Sequence, residues 1–196
     1  QYGFKSYLRY AAIVVVLLFA YPLIKIALPI YTPAKYTQDA KENLPFSIHT
    51  WEDGKKYPIA QDFADMLGWK ELARKTDSVY NNLEHKKNLL IICDNYGQAG
   101  AINYYTAING LKADCFNTDY DKWVNLNDEI KTVIRIKTAE NLDNTRDLSL
   151  FGSIYEVAQI ENDFAREKGT RILILSDPKI DLAKLLREER AKGNLK

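Results

Sequence analysis

The run Leu89-Leu90-Ile91-Ile92-Cys93-Asp94-Asn95-Tyr96-Gly97-Gln98-Ala99-Gly100-Ala101 decides the fold of this chain. Its five opening apolar residues are too few for a helix and suit a strand buried on both faces. A glycine-containing polar turn follows. Ala99–Ile108 then reads as a helix, stopped by Asn109-Gly110. Ala113–Asn117 is the next strand, and strand–helix–strand in this order predicts a right-handed βαβ unit with parallel strands.

Working outward, Thr132–Lys137 (TVIRIK) alternates in character and predicts a half-exposed strand. Ser153–Ile160 and Arg171–Ser176 (RILILS) are further strands, and Leu182–Arg190 is a closing helix. The later strands arrive without helices between them, which predicts an antiparallel addition to the sheet. Upstream, Phe63, Met66, Leu67, Leu72, Thr76, Val79, Tyr80 and Leu83 recur at three-to-four-residue spacing, so Gln61–Leu83 reads as one amphipathic helix. Residues 59–196 are therefore expected to form an α/β, Rossmann-like domain whose mixed, partly parallel sheet has about five strands. Tyr31–Pro58, broken by Thr-Pro, Leu-Pro and Tyr-Pro steps, reads as a linker.

Composition sharpens this division. The 196 residues are 46% hydrophobic and 27% charged with a net charge of +1, which excludes wholesale disorder and gives no sign of a nucleic-acid partner. The first thirty residues hold only Lys5, Arg9 and Lys25 as charges, and Ala11–Tyr21 reads AAIVVVLLFAY. Wound as a helix, Tyr7–Ile30 would be about 36 Å long, against a bilayer core of about 30 Å. Residues 1–30 are accordingly expected to be a transmembrane helix, with Arg9 and Lys25 near the two interfaces. A cleaved signal peptide fits less well, because no small-x-small site follows.

The chemistry-bearing stretch is Asp94–Ala101, placed between a strand and a helix where open α/β sheets hold ligands. Asp94, Asn95, Tyr96, Gly97, Gln98 and Gly100 are the candidate ligand-binding residues. The free amides of the helix start suit an anion. The alternative is a tight turn in which Asn95 caps the helix and the glycines permit close strand–helix packing. The stretch is neither GxGxxG nor a P-loop, so no cofactor is implied. Tyr104, Tyr105 and Trp123, with Tyr120, extend the candidate set as rings for sugar stacking, or else pack within the fold. No catalytic residue is identified. His49 and His85 stand in no zinc-ligand spacing, read as surface residues, and no metal is expected. Cys93 and Cys115 end neighbouring strands, either as free thiols, the favoured reading, or as a disulfide if the domain lies outside the cytoplasm.

Several segments in order carry a resemblance: Gln61–Trp69 (QDFADMLGW), Asn95–Ile102 (NYGQAGAI), Asn109–Leu111, the Tyr120/Trp123 pair and Asp177–Lys179. Together they resemble the C-terminal region of bacterial PMT-like membrane glycosyltransferases, family 39, related to dolichyl-phosphate-mannose–protein mannosyltransferases. Ala60, Lys112 and Val124 depart from the pattern, at turns rather than at chemical groups. The resemblance implies a last transmembrane helix followed by an extracytoplasmic α/β domain. The parent enzyme would transfer a sugar from a polyprenyl-phosphate donor to a lipid or protein acceptor. Its catalytic acid would lie upstream, and none can be carried over to this chain. The implied location is the bacterial inner membrane, with the domain on the periplasmic or extracytoplasmic side and the bilayer and the lipid-linked sugar as partners. Two other readings stay open. One is a single-span module binding a phosphorylated or sugar ligand at Asn95–Gly100, and the other is a structural partner in an envelope complex.

Overall fold

The computed structural model describes residues 2–28, 30–43, 49–126 and 129–194. The chain divides into two compact units, residues 1–63 and 64–196.

In the first unit, helix α1 spans Tyr2–Ala27. Every described side chain from Tyr7 to Phe19 is exposed, with Leu17, Leu18 and Phe19 more than three-fifths open. Among the described residues, however, no helix is long and apolar enough to cross a membrane. Of the transmembrane helix expected over 1–30, the described residues show a helix at Tyr2–Ala27 and do not show a bilayer-crossing span.

The expected linker is not structureless. Helix α2 occupies Pro33–Asn43, starting at the Thr32-Pro33 step, where proline at the first helical position needs no hydrogen bond from its nitrogen. Its Tyr36 is buried against the edge of Phe63, with ring centroids 4.9 Å apart. Trp51 stacks on Tyr57 at 3.6 Å and donates its indole N–H to the Ile59 carbonyl at 2.9 Å. Aromatic packing, invisible to helical periodicity, orders this segment. His49, expected at the surface, is half-buried 5.9 Å from Tyr36, and burial lowers its pKa. His85 is exposed.

The expected helix Gln61–Leu83 is two helices, the single turn α3 (Gln61–Ala64) and α4 (Trp69–Asn82). Gly68 separates them at φ 88°, a left-handed conformation that only glycine adopts without strain. A β-carbon there would lie 3.0 Å from Ala165 Cβ and 3.3 Å from Ile160 Cγ2. The break turns the chain so that α4 can lie on the sheet.

The remaining elements are β1 (Leu89–Cys93), α5 (Tyr96–Tyr105), β2 (Ala113–Cys115), β3 (Thr132–Lys137), α6 (Thr145–Leu150), β4 (Phe151–Gln159), β5 (Arg171–Pro178) and α7 (Leu182–Ala191). The strands form one five-stranded sheet in the order β2-β1-β3-β5-β4. β1 pairs parallel with both β2 and β3, whereas β5 runs antiparallel between β3 and β4. A mixed α/β domain with a partly parallel open sheet is therefore established. Helix α5 begins at Tyr96 rather than Ala99 and ends at Tyr105, before Asn109-Gly110. Strand β3 is the central strand, not half-exposed: four of its six residues are buried, Lys137 among them.

One face of the sheet packs Ile91, Cys93, Ile134, Ile136 and Ile172 against Leu72 and Val79 of α4 and Ile102 of α5. The other sets Leu90, Ile92, Val133, Leu173 and Leu175 against Leu182 and Leu186 of α7 and against Val124, Leu126 and Ile130. Cys93 and Cys115 are register partners on β1 and β2, and both are buried free thiols.

Candidate functional site

Because β2 and β3 flank β1 on opposite sides, the chain reverses direction across the sheet at the carboxyl ends of β1 and β3. Open α/β sheets bind ligands at such a point. Asp94 sits there, but its carboxylate is committed. It pairs with the Arg135 guanidinium of β3 and accepts from the Thr138 amide and Asn141 Nδ2, each at 2.9 Å. Asp94 therefore ties the ends of β1 and β3 together.

Asn95 is the N-cap of α5: its side-chain oxygen accepts from the Gln98 amide at 2.9 Å. Gln98 is fully buried. Its Oε1 accepts from the Asp94 amide at 3.2 Å, and its Nε2 donates to Glu167 Oε2 at 3.0 Å. Glu167 also accepts from Thr170 Oγ1 at 2.9 Å. The capping role expected for Asn95 is what the geometry gives. The packing role expected for the glycines is absent at Gly100, where a β-carbon would meet nothing within 4 Å, and Gly97 alone stands in a close approach. At Gly97 it would approach Asn95 Oδ1 to 3.2 Å and the Trp69 ring to 3.6 Å.

Above this framework opens a cleft of about 450 Å³, lined by Asn95, Tyr96 and Gly97 from the β1–α5 turn, by Trp69 and Asp65 before α4, and by Glu140 and Glu167. Trp69 is oriented by its indole N–H, which donates to the Asp65 carbonyl at 2.6 Å. Arg166 lies on the rim and pairs with Asp65 at 3.3 Å. With three carboxylates and one guanidinium, the lining disfavours a phosphate and suits a hydroxylated, uncharged ligand.

Tyr96 continues the site outward. Its ring stacks on Tyr120 at 5.8 Å, and Tyr120 meets Trp123 edge-on at 4.9 Å. Tyr96 and Trp123 are 57% and 64% exposed, so this row of rings faces solvent rather than the core. Tyr104 and Tyr105 form a separate pair at 4.8 Å, with Lys70 over the Tyr105 ring at 5.5 Å.

The candidate residues thus separate into groups. Asn95, Tyr96 and Gly97 line the cleft, and Asp94 and Gln98 support it from below. Gly100 lies outside the cleft, Tyr104 and Tyr105 make their own exposed pair, and Trp123 joins through Tyr120. Sequence reasoning missed Trp69, Asp65, Glu140, Arg166 and Glu167 as cleft residues. Only Asp65 and Trp69 carried a signal, as part of the segment Gln61–Trp69. Among the described residues, no group of three or more His, Cys, Asp or Glu is placed to hold a metal. No family model, curated protein or solved structure matches this chain.

Proposed function

We propose that residues 59–196 are a non-catalytic sugar-recognition domain, the extracytoplasmic part of an integral-membrane glycosyltransferase that uses a polyprenyl-phosphate donor. In this reading α1 is the last transmembrane helix of the parent enzyme, in the bacterial inner membrane, and the active groups belong to an upstream membrane portion. The cleft between the ends of β1 and β3 carries the recognition half of the proposal. An indole and a phenol ring offer flat surfaces to sugar C–H faces, and carboxylates and an amide offer partners to its hydroxyls. Asp94 is spent on holding the sheet ends together, which supports a binding rather than an acid–base role.

The membrane half rests on the ordered resemblance of segments 61–69, 95–102 and 177–179 and on the uncharged run Tyr10–Ile24. Two measurements test the proposal. The polypeptide extracted from its native membrane should have a mass well above 22.5 kDa; a mass near that value overturns the parent enzyme. Monosaccharides and short glycans should change the tryptophan fluorescence of the full chain, and Tyr96→Ala should weaken this roughly tenfold. A folded chain that responds to no sugar overturns the recognition role.

A further inference from the structure

The second face of the sheet holds an opening that the proposed sugar site does not use. α7 and α6 do not close over the strands completely, and a cavity of about 110 Å³ remains between them. Its interior is apolar, formed by Leu90, Ile92, Val133, Leu150, Leu175 and Leu186. Its charged wall consists of Arg135, Arg146 and Asp147. An apolar cavity of about 150 Å³ binds benzene, so an apolar interior of this size can take a small aliphatic group.

The charges on that wall are already partnered in a telling way. Asp147 is neutralised by Lys137, which is 3% exposed, lies 3.4 Å from it and also donates to Asn144 Oδ1 at 2.9 Å. Arg135 pairs with Asp94, and Arg146 pairs with Glu189. Each guanidinium has five N–H donors, so the carboxylates, and for Arg135 also the Ile92 carbonyl at 3.5 Å, leave others unspent. Two partly committed arginines beside an apolar pocket favour a ligand with an anionic head and a short apolar body.

We infer that this cavity binds a short branched-chain carboxylate of four to five carbons, with its aliphatic end between α6, α7 and the sheet and its carboxylate on Arg135 and Arg146. The cavity volume limits the body to less than a benzene ring, and the paired planar donors select a carboxylate over a neutral group. This site shares no lining residue with the sugar cleft around Trp69 and Tyr96, and the Arg135–Asp94 pair links the two.

The test uses the full chain in lipid nanodiscs, with 3-methylbutanoate as the probe and empty nanodiscs as the blank. Saturation-transfer NMR should show saturable binding, and the neutral 3-methylbutanamide should bind about tenfold more weakly. Leu150→Phe, which fills the cavity, should abolish the signal. Arg146→Gln changes a side chain that is 57% exposed and leaves the core intact. It should weaken the carboxylate roughly tenfold and leave the amide unchanged. No saturable binding above the blank would overturn the inference. So would equal affinity for carboxylate and amide, or binding indifferent to both substitutions.

Discussion

The two faces of the sheet are covered by different means. One receives α4 and α5, two helices of fourteen and ten residues whose Leu72, Val79 and Ile102 interlock with the isoleucines of β1, β3 and β5. The other receives α7, the short α6 and the side chains of Val124, Leu126 and Ile130, and it keeps a cavity. The second face is also where ionised groups turn inward, with Arg135 and Lys137 of β3 held by Asp94 and Asp147. The difference teaches that the first face is filled by two helices with polar ties at their margins, Glu71 to the chain after β4 and Asp77 to Thr106, whereas the second turns charged side chains of the central strand inward.

The sharpest way to break the comparison is Asp94→Ala. It leaves Arg135, 21% exposed, without its partner and removes an acceptor for Thr138 and Asn141. Loss of one member of such a pair costs about 3–5 kcal/mol. Urea denaturation reads this directly, and a loss below about 1 kcal/mol would mean that the second face is not held by its charges. Next comes a pair of truncations. Leu72→Ala on the closed face should cost about 3–4 kcal/mol. Leu186→Ala, beside a cavity that already exists, should cost about 2 kcal/mol. Equal losses in chemical denaturation would erase the distinction between the faces.

A third prediction concerns how α4 is fixed over the closed face. Glu71 accepts from the Glu161 amide at 2.9 Å and the Asn162 amide at 3.3 Å, and pairs with Lys75 at 2.9 Å. Burial alone would raise its pKa, but these amides and the Lys75 ammonium outweigh that and hold it below the ordinary 4.5. A carboxylate with a lowered folded pKa stabilises above its unfolded pKa, and this contribution disappears as pH falls through the folded value. Glu71→Gln should therefore cost about 1–2 kcal/mol at pH 7. In urea titrations the gap from the parent chain should close below about pH 4. A gap that stays constant down to pH 3 would show that the carboxylate's charge contributes nothing. The smallest expected effect is Leu150→Phe, which adds volume where space exists and should change stability by less than about 1 kcal/mol. Ala99→Leu on the closed face should instead cost about 1–3 kcal/mol in thermal or urea melts.

The strands were legible because their signal is local. LLIIC and TVIRIK each carry enough apolar character to name a strand, and the lack of helices after Lys131, apart from the short α6, announced the antiparallel half. What failed was information that lives outside the local pattern. The periodic residues Phe63 to Leu83 say helix throughout, and only the left-handed φ of Gly68, set by the approach of Ala165 and Ile160, divides them. α2 has few apolar residues and is held by Tyr36, so its order depends on Phe63, distant in sequence. β3 looked half-exposed because Arg135 and Lys137 are charged, and partners after the strand allow Lys137 to be buried. The candidate site was half legible for the same reason. Asn95 and Gly97 announce a turn, but Glu140, Arg166 and Glu167 reach the cleft from segments with no sequence sign of shared duty.

Cys93 and Cys115 give the molecule an internal clock. They sit side by side at the ends of β1 and β2, both sealed in the core, and burial raises both thiol pKa values, Cys93 the more strongly. Since the thiolate is the reacting form, a disulfide-exchange reagent should find neither sulfur while the sheet is intact. Both should react once the sheet opens, so the rate of colour development at saturating reagent reports how often β1 and β2 part company in the unmodified chain.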